Sequence, residues 1–152
     1  MKPELESGLL ASERVLLVDD EPDFVESLAE RMELRGMTVS TATTASEALE
    51  LIERETFDAI VLDLLMPEMD GIETLKAIKK RRPEAQIVML TGHATVSKGV
   101  EAMKLGAVDV MEKPADIAAL TERVHQAHAR RVVVAEKQVQ DKLGDILKRR
   151  GW

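Results

Sequence analysis

The chain has 152 residues, 45% hydrophobic and 32% charged, a balance typical of a globular domain rather than a disordered segment. Its 28 acidic and 21 basic side chains leave a net charge of −7, and only 2% of its residues are aromatic, so nucleic-acid binding through this chain is not expected. The absence of cysteine excludes disulfides and thiolate sites, and since neither a membrane-spanning apolar run nor a secretory signal is visible, we expect a cytoplasmic protein.

Short apolar runs alternate with helical patterns along the chain. Continuous apolar runs at 15–18, 59–62 and 87–90 predict strands that are buried on both faces, and two further short strands are predicted at 38–41 and 108–111. Apolar residues at helical spacing follow each strand, and the segments begin near Phe24, Ser46 (a candidate N-cap), Ile72, Val96 and Ile117.

Five repeats of strand and helix predict an α/β fold. The expected architecture is a doubly wound, flavodoxin-like, five-stranded parallel sheet of order 2-1-3-4-5 with helices on both faces. Such sheets bind ligands at the carboxyl ends of their strands, so the residues at those ends are the informative ones.

Charge divides the chain into a body and a tail. Residues 1–120 carry 24 acidic and 13 basic side chains, whereas residues 121–152 carry 4 acidic and 8 basic ones. We therefore expect a compact domain over 12–128 and a helical extension over 129–152. Val132, Val139 and Ile146 form a partial heptad, which is compatible with a dimerisation or docking helix, a frayed helix, or the start of a linker.

Polar residues follow four of the predicted strands. Asp19 and Asp20 end the first strand, Asp63 the third and Thr91 the fourth, and Lys113 follows the fifth. Each of them alone is most often a cap or a turn residue. Together, three carboxylates in one cleft require a cation, and hard oxygen ligands suit Mg²⁺. With a lysine and a hydroxyl nearby, these are the components of phosphoryl transfer to a carboxylate.

The motifs that contain these residues are similar to those of one known family. The segments VLLVDDEPDF, FDAIVLDLLMPEMDGIETL, IVMLTGHATV and GAVDVMEKP, spread from about Arg14 to about Ala127, resemble the receiver domain of two-component response regulators, as in chemotaxis regulators. The segment TGHATVSKGVEAMKLGAVDVMEKP looks closest to receivers of enhancer-binding transcription activators.

The resemblance implies a role for each of the strand-end residues. Asp63 falls on the phosphoacceptor, Thr91 on the switch hydroxyl and Lys113 on the lysine that pairs with the phosphoryl oxygens, with a cis bond to Pro114. It also implies a Mg²⁺ site formed by Asp19, Asp20, Asp63 and the backbone carbonyl of Leu65.

The resemblance further implies a signalling domain rather than an enzyme. Its donor would be a sensor histidine kinase or a phosphotransfer protein, and its output a changed contact with a downstream protein, with homodimerisation as a further possibility and no membrane partner. The family usually has an aromatic residue where this chain has Val110, which puts the usual coupling between threonine and aromatic in doubt. Two alternatives stay open: a phosphorylation-controlled dimerisation module cut from a larger transcription activator, and a non-switching scaffold receiver.

Overall fold

Strands and helices alternate throughout the computed structural model, which describes residues 12–64, 70–92, 96–114 and 116–149. The elements in those ranges are β1 (Arg14–Val18), α1 (Pro22–Glu33), β2 (Thr38–Ala42), α2 (Ala45–Arg54), β3 (Ala59–Asp63), α3 (Gly71–Arg81), β4 (Ile87–Thr91), α4 (Val96–Lys104), β5 (Asp109–Glu112) and α5 (Ile117–Arg149). The strands form one parallel sheet of order β2-β1-β3-β4-β5, which confirms the predicted architecture.

A separate apolar core lies on each face of the sheet. Helices α1 and α5 pack on one face, and α2, α3 and α4 pack on the other. Successive residues of a strand point to opposite faces, so Val15 and Leu17 enter the first core while Leu16 and Val18 enter the second. This two-sided burial is the reason that the central strands are continuous apolar runs.

The helix ends follow local side-chain chemistry. The side chain of Thr44 accepts a hydrogen bond from the backbone N–H of Glu47 and so caps α2. The expectation that Ser46 is the cap was wrong, because Ser46 already lies inside the helix. Gly36 (φ +92°) and Gly106 (φ +107°) follow α1 and α4 with left-handed backbone, which suits glycine.

Helix α5 is a single helix of 33 residues that passes through residue 128 without a break. Leu120, Val124 and Ala127 are fully buried against the sheet. Most of the large apolar residues beyond them are exposed: Val132, Val133, Val139, Leu143, Ile146 and Leu147. The helical extension is confirmed as far as Arg149, whereas the domain boundary at 128 stays a prediction. Within the described ranges, no helix combines the length and apolarity that a membrane crossing requires.

Candidate functional site

The site lies at the carboxyl edge of the sheet, where the central strands end side by side. β1 ends beside β3, with Val18 opposite Leu62, and Asp63 lies opposite Leu90 of β4. Asp19, Asp63 and Thr91 are all buried at this edge, with 3 to 5% of their surface exposed. The topology therefore brings together the side chains that the sequence placed at the strand ends.

The ammonium of Lys113 joins the carboxylates of this edge. Its Nζ lies 2.6 Å from Asp19 Oδ2, 3.4 Å from Glu21 Oε1 and 3.7 Å from Asp63 Oδ1. The side chains of Lys113 and Asp19 are 13% and 5% exposed, so these two charges interact in a poorly solvated environment, whereas Glu21 is exposed. One cation is thus shared among three carboxylates, two from the loop after β1 and one from the end of β3.

The pKa values at this edge are shifted in accordance with that arrangement. Burial raises the pKa of the Asp19 carboxyl above its ordinary value, and the hydrogen bond with Lys113 offsets this effect only in part. Burial alone would lower the pKa of Lys113, but the contact with Asp19 and the charge of Asp63 outweigh it and raise the pKa. Lys113 therefore stays charged at neutral pH, while the buried Asp19 carboxylate is incompletely compensated.

A group of acidic oxygens beside Lys113 fits a divalent cation. Asp19, Asp20 and Glu21 offer oxygen atoms that all lie within 4.8 Å of one another. Carboxylate oxygens are the ligands that Mg²⁺ prefers, and Mg²⁺ keeps several waters in such sites. Asp19 is 3% exposed and shares Lys113 with two other carboxylates, so this group can accommodate a second positive charge. The donor set therefore fits the implied ion.

Backbone contacts position the ends of β3 and β5. The N–H of Leu64 donates to the carbonyl of Leu90 at 2.8 Å, and the N–H of Lys113 donates to the carbonyl of Thr91 at 2.7 Å. The expected cis bond between Lys113 and Pro114 is present. These contacts fix where the side chains of Asp63 and Lys113 leave the backbone.

Gly71 allows α3 to begin directly against the end of β3. A Cβ atom at this position would lie 2.5 Å from Leu64 Cα and 2.6 Å from the carbonyl oxygen of Asp63. The N–H of Gly71 donates to the carbonyl of Leu64 at 2.8 Å. Only glycine permits this approach, so Gly71 fixes the backbone that carries Asp63.

The structure brings together most of the residues predicted for the site. Asp19, Asp63 and Lys113 are in direct contact, Asp20 lies in the acidic group, and Thr91 ends the adjacent strand. Leu65, predicted to supply a carbonyl ligand, lies outside the described residues.

Among the described residues, sequence reasoning missed Glu21 and Phe24. Glu21 contacts Lys113 and belongs to the acidic group, and the ring of Phe24 lies 4.5 Å from Lys113 Nζ. The position of Glu21 directly after Asp20 was a usable signal. Phe24 was assigned to the apolar face of its helix, and its contact with Lys113 spans 89 residues of sequence.

Known proteins resemble this chain in sequence over most of its length. The family model described as "Response regulator receiver domain" matches residues 15–125. The chain is 40% identical over 114 residues to the photosynthetic apparatus regulatory protein RegA of Rhodobacter capsulatus, a match that covers 74% of this chain and 62% of that protein. It is 34% identical over 113 residues to the transcriptional regulatory protein GlrR of Escherichia coli K12, covering 74% and 26% respectively. The chain thus spans less than two thirds of the length of these relatives.

Solved structures agree with the sequence matches. A CheY-like response regulator receiver domain protein from Methanospirillum hungatei superposes with a TM-score of 0.75 at 31% identity, covering 80% of this chain and 97% of that chain. NtrX from Brucella abortus superposes with a TM-score of 0.79 at 30% identity, covering 86% and 30% respectively. The match to GlrR agrees with the expected likeness to receivers of transcription activators. The chain belongs to the response regulator receiver domains of two-component systems.

Proposed function

We propose that this receiver accepts a phosphoryl group on Asp63 from a sensor histidine kinase or a phosphotransfer protein, and that phosphorylation changes its protein contacts. The observation that carries the proposal is the half-buried Lys113 ammonium, which lies within ion-pair distance of both Asp63 and the acidic group that begins at Asp19. We assign the receiver to residues 12–128 and the helical extension to 129–152.

In the proposed reaction, a carboxylate oxygen of Asp63 is the nucleophile. It forms a bond to phosphorus as the bond between phosphorus and the donor's histidine nitrogen breaks. Asp63 is 5% exposed, which keeps water away from the acceptor oxygen, and Gly71 fixes the backbone behind it. Lys113, 3.7 Å from Asp63 Oδ1, offsets negative charge on the transferred group.

Asp19 and Asp20 would hold Mg²⁺, with Asp63 and the carbonyl of Leu65 completing the protein ligands. When bound, the ion supplies positive charge next to the phosphoryl oxygens. Its presence matters because one lysine serves three carboxylates even before a phosphoryl group adds a charge of about −1.5 to −2.

Thr91 and Lys113 would convert phosphorylation into a change of shape. The hydroxyl of Thr91 can donate to a phosphoryl oxygen, and Lys113 can pair with another, but both must approach the new group. The N–H of Lys113 donates to the carbonyl of Thr91, so the ends of β4 and β5 are linked and would shift together. We expect the change to reach the surface formed by α4, β5 and α5.

Intact mass spectrometry with a small phosphodonor and Mg²⁺ tests the assignment of Asp63. The wild-type chain should gain one phosphoryl group, and Asp63→Asn should gain none. Asp58→Asn is the matched control, because Asp58 is equally buried but lies at the other end of β3, and it should still be phosphorylated. Phosphorylation that persists in Asp63→Asn would overturn the assignment.

Phosphorylation-controlled dimerisation is a second candidate output. It is favoured by the exposed Val139, Leu143 and Ile146, which recur at spacings of four and three residues in the part of α5 beyond Ala127. Light scattering with and without phosphodonor should then show a change of mass that Leu143→Asp abolishes. Gln138→Asp, an exposed polar position of the same helix, is the control and should leave the change intact.

A non-switching scaffold is the remaining alternative, and Val110 is the observation behind it. The Val110 side chain lies 3.6 Å from the position that a Cβ of Gly99 would occupy, so β5 and α4 approach each other closely there. Backbone chemical shifts of α4 that do not respond to phosphorylation of Asp63 would favour the scaffold over the switch.

A further inference from the structure

Lys113 lies closer to the acidic group than to Asp63, although the proposed reaction uses its charge at Asp63. Its Nζ lies 1.1 Å closer to Asp19 Oδ2 (2.6 Å) than to Asp63 Oδ1 (3.7 Å). Glu21, the exposed member of the acidic group, adds a third contact at 3.4 Å. The lysine thus occupies space at the acidic group where a metal would bind, rather than approaching the phosphoacceptor alone.

The ammonium of Lys113 also lies over an aromatic ring. Lys113 Nζ lies 4.5 Å from the centroid of the Phe24 ring, well inside the range of cation–π attraction. Phe24 is half-buried and packs against the core shared by α1 and α5, so its ring is held in place. The negative face of the ring stabilises the ammonium without accepting a hydrogen bond.

The other phenylalanine of the chain provides an internal comparison. Arg14 lies over the ring of Phe57 at 5.8 Å, and the Arg14 side chain is 43% exposed. The contact between Phe24 and Lys113 is 1.3 Å shorter and is made by a side chain that is only 13% exposed. Desolvation strengthens cation–π attraction, so the pair at the candidate site is the stronger of the two.

We infer that Phe24 is a positioning residue which, together with Asp19, holds the ammonium of Lys113 at the acidic group and thereby weakens the binding of Mg²⁺ there. The inference rests on the proposed function, because it assigns the acidic group to Mg²⁺. Mg²⁺ and Lys113 compete for the same Asp19 carboxylate, so any contact that stabilises the pair of Lys113 and Asp19 opposes the ion. Phe24 contributes such a contact from α1.

A double-mutant cycle with Mg²⁺ as the titrant tests this role by calorimetry. Phe24→Leu, which removes the ring but keeps an apolar side chain, should lower the Kd for Mg²⁺ about three- to tenfold. Lys113→Met should lower it further, and adding Phe24→Leu to Lys113→Met should then change nothing. Phe24→Trp, which restores a ring, should return the Kd toward the wild-type value. An equal effect of Phe24→Leu with and without Lys113 would overturn the inference, because the ring would then act through packing alone.

A metal-free measurement separates this inference from the proposed function. The ε-methylene protons of Lys113 should be shifted upfield by the ring current of Phe24 in the wild-type chain with chelator, and the shift should vanish in Phe24→Leu. Phe24→Met replaces Phe24→Leu if the latter does not unfold cooperatively. The absence of the upfield shift would overturn the inference even if Asp63 is phosphorylated. Failure of the wild-type chain to bind Mg²⁺, with the shift present, would count against the proposed Mg²⁺ site and against the competition, but not against the contact.

Discussion

The two ends of the sheet both bury an aspartate beside basic groups, yet they compensate its charge differently. At the amino end, Asp58 accepts from the backbone N–H of Arg14 at 2.8 Å and from Arg131 at 3.0 Å, and His128 Nδ1 lies 2.9 Å from it. At the carboxyl end, Lys113 is shared by the carboxylates of Asp19, Glu21 and Asp63.

The pKa values of the two aspartates differ in direction for this reason. Burial alone would raise the pKa of Asp58, but the hydrogen bond from the Arg14 N–H and the contacts with His128 and Arg131 outweigh it and lower the pKa. Burial raises the pKa of Asp19, and its partners do not reverse the shift. The amino end is therefore built for stability, whereas the carboxyl end keeps unbalanced negative charge that a cation can neutralise.

The largest change in stability is expected from a substitution that crowds the backbone at the carboxyl end of the sheet. Gly71→Ala would place a Cβ 2.5 Å from Leu64 Cα, so the backbone that carries Asp63 must shift. We expect the free energy of unfolding to fall by about 1–3 kcal/mol, with slower phosphorylation of Asp63. Gly144→Ala is the control, because nothing lies within 4 Å of its Cβ position and the substitution should stabilise α5 by up to about 1 kcal/mol. Urea unfolding measures both changes, and a neutral Gly71→Ala would contradict the proposed close approach.

Removing the Asp58 carboxylate at the amino end of the sheet should cause the next largest change in stability. Asp58→Ala leaves the partly buried Arg131 and the N–H of Arg14 without their acceptor, so we expect a loss of about 2 kcal/mol in the free energy of unfolding. Phosphorylation of Asp63 should be unaffected. A loss smaller than about 0.5 kcal/mol, which is the scale of an ordinary surface substitution, would show that this cluster is not stabilising.

The Asp58 carboxyl should also affect how the free energy of unfolding changes at acidic pH. Because the folded-state pKa of Asp58 is lowered, its contribution to stability is fully present above its unfolded pKa and is lost as the pH falls through the folded pKa. Unfolding free energies measured from neutral pH down into that acid range should therefore fall less steeply in Asp58→Asn than in the wild-type chain. Parallel curves would mean that other carboxyls dominate the acid response.

The smallest effect, and one of opposite sign, is expected at Asp19. Its raised pKa means that the ionised carboxylate is less stable in the folded chain than in the unfolded chain at neutral pH. Asp19→Asn should therefore leave the free energy of unfolding unchanged or raise it by up to about 1 kcal/mol in the presence of chelator, while weakening the binding of Mg²⁺. A clear destabilisation by Asp19→Asn would remove the proposed contrast between the two ends.

Much of the fold and of the candidate site followed from local sequence patterns. The apolar runs before Asp19 and Asp63 predicted two central strands, and parallel topology then predicted that their ends would meet. The contacts of Phe24 with Lys113 and of Asp58 with His128 were not predictable in the same way, because the partners lie 89 and 70 residues apart. His128 contacts Asp58 from α5, and no periodicity of the sequence reveals that a helix turns a histidine toward the end of a sheet.

The unbroken course of α5 has a mechanical consequence. From Ala127, the last of its fully buried residues, to Arg149 the helix extends about 33 Å at 1.5 Å per residue. A tilt of about 5° at its buried part would displace the far end by about 3 Å, because a helix transmits rotation as a rigid rod over this length. The helix can therefore act as a lever arm, which turns small adjustments beside β5 into movements large enough for a neighbouring molecule to sense.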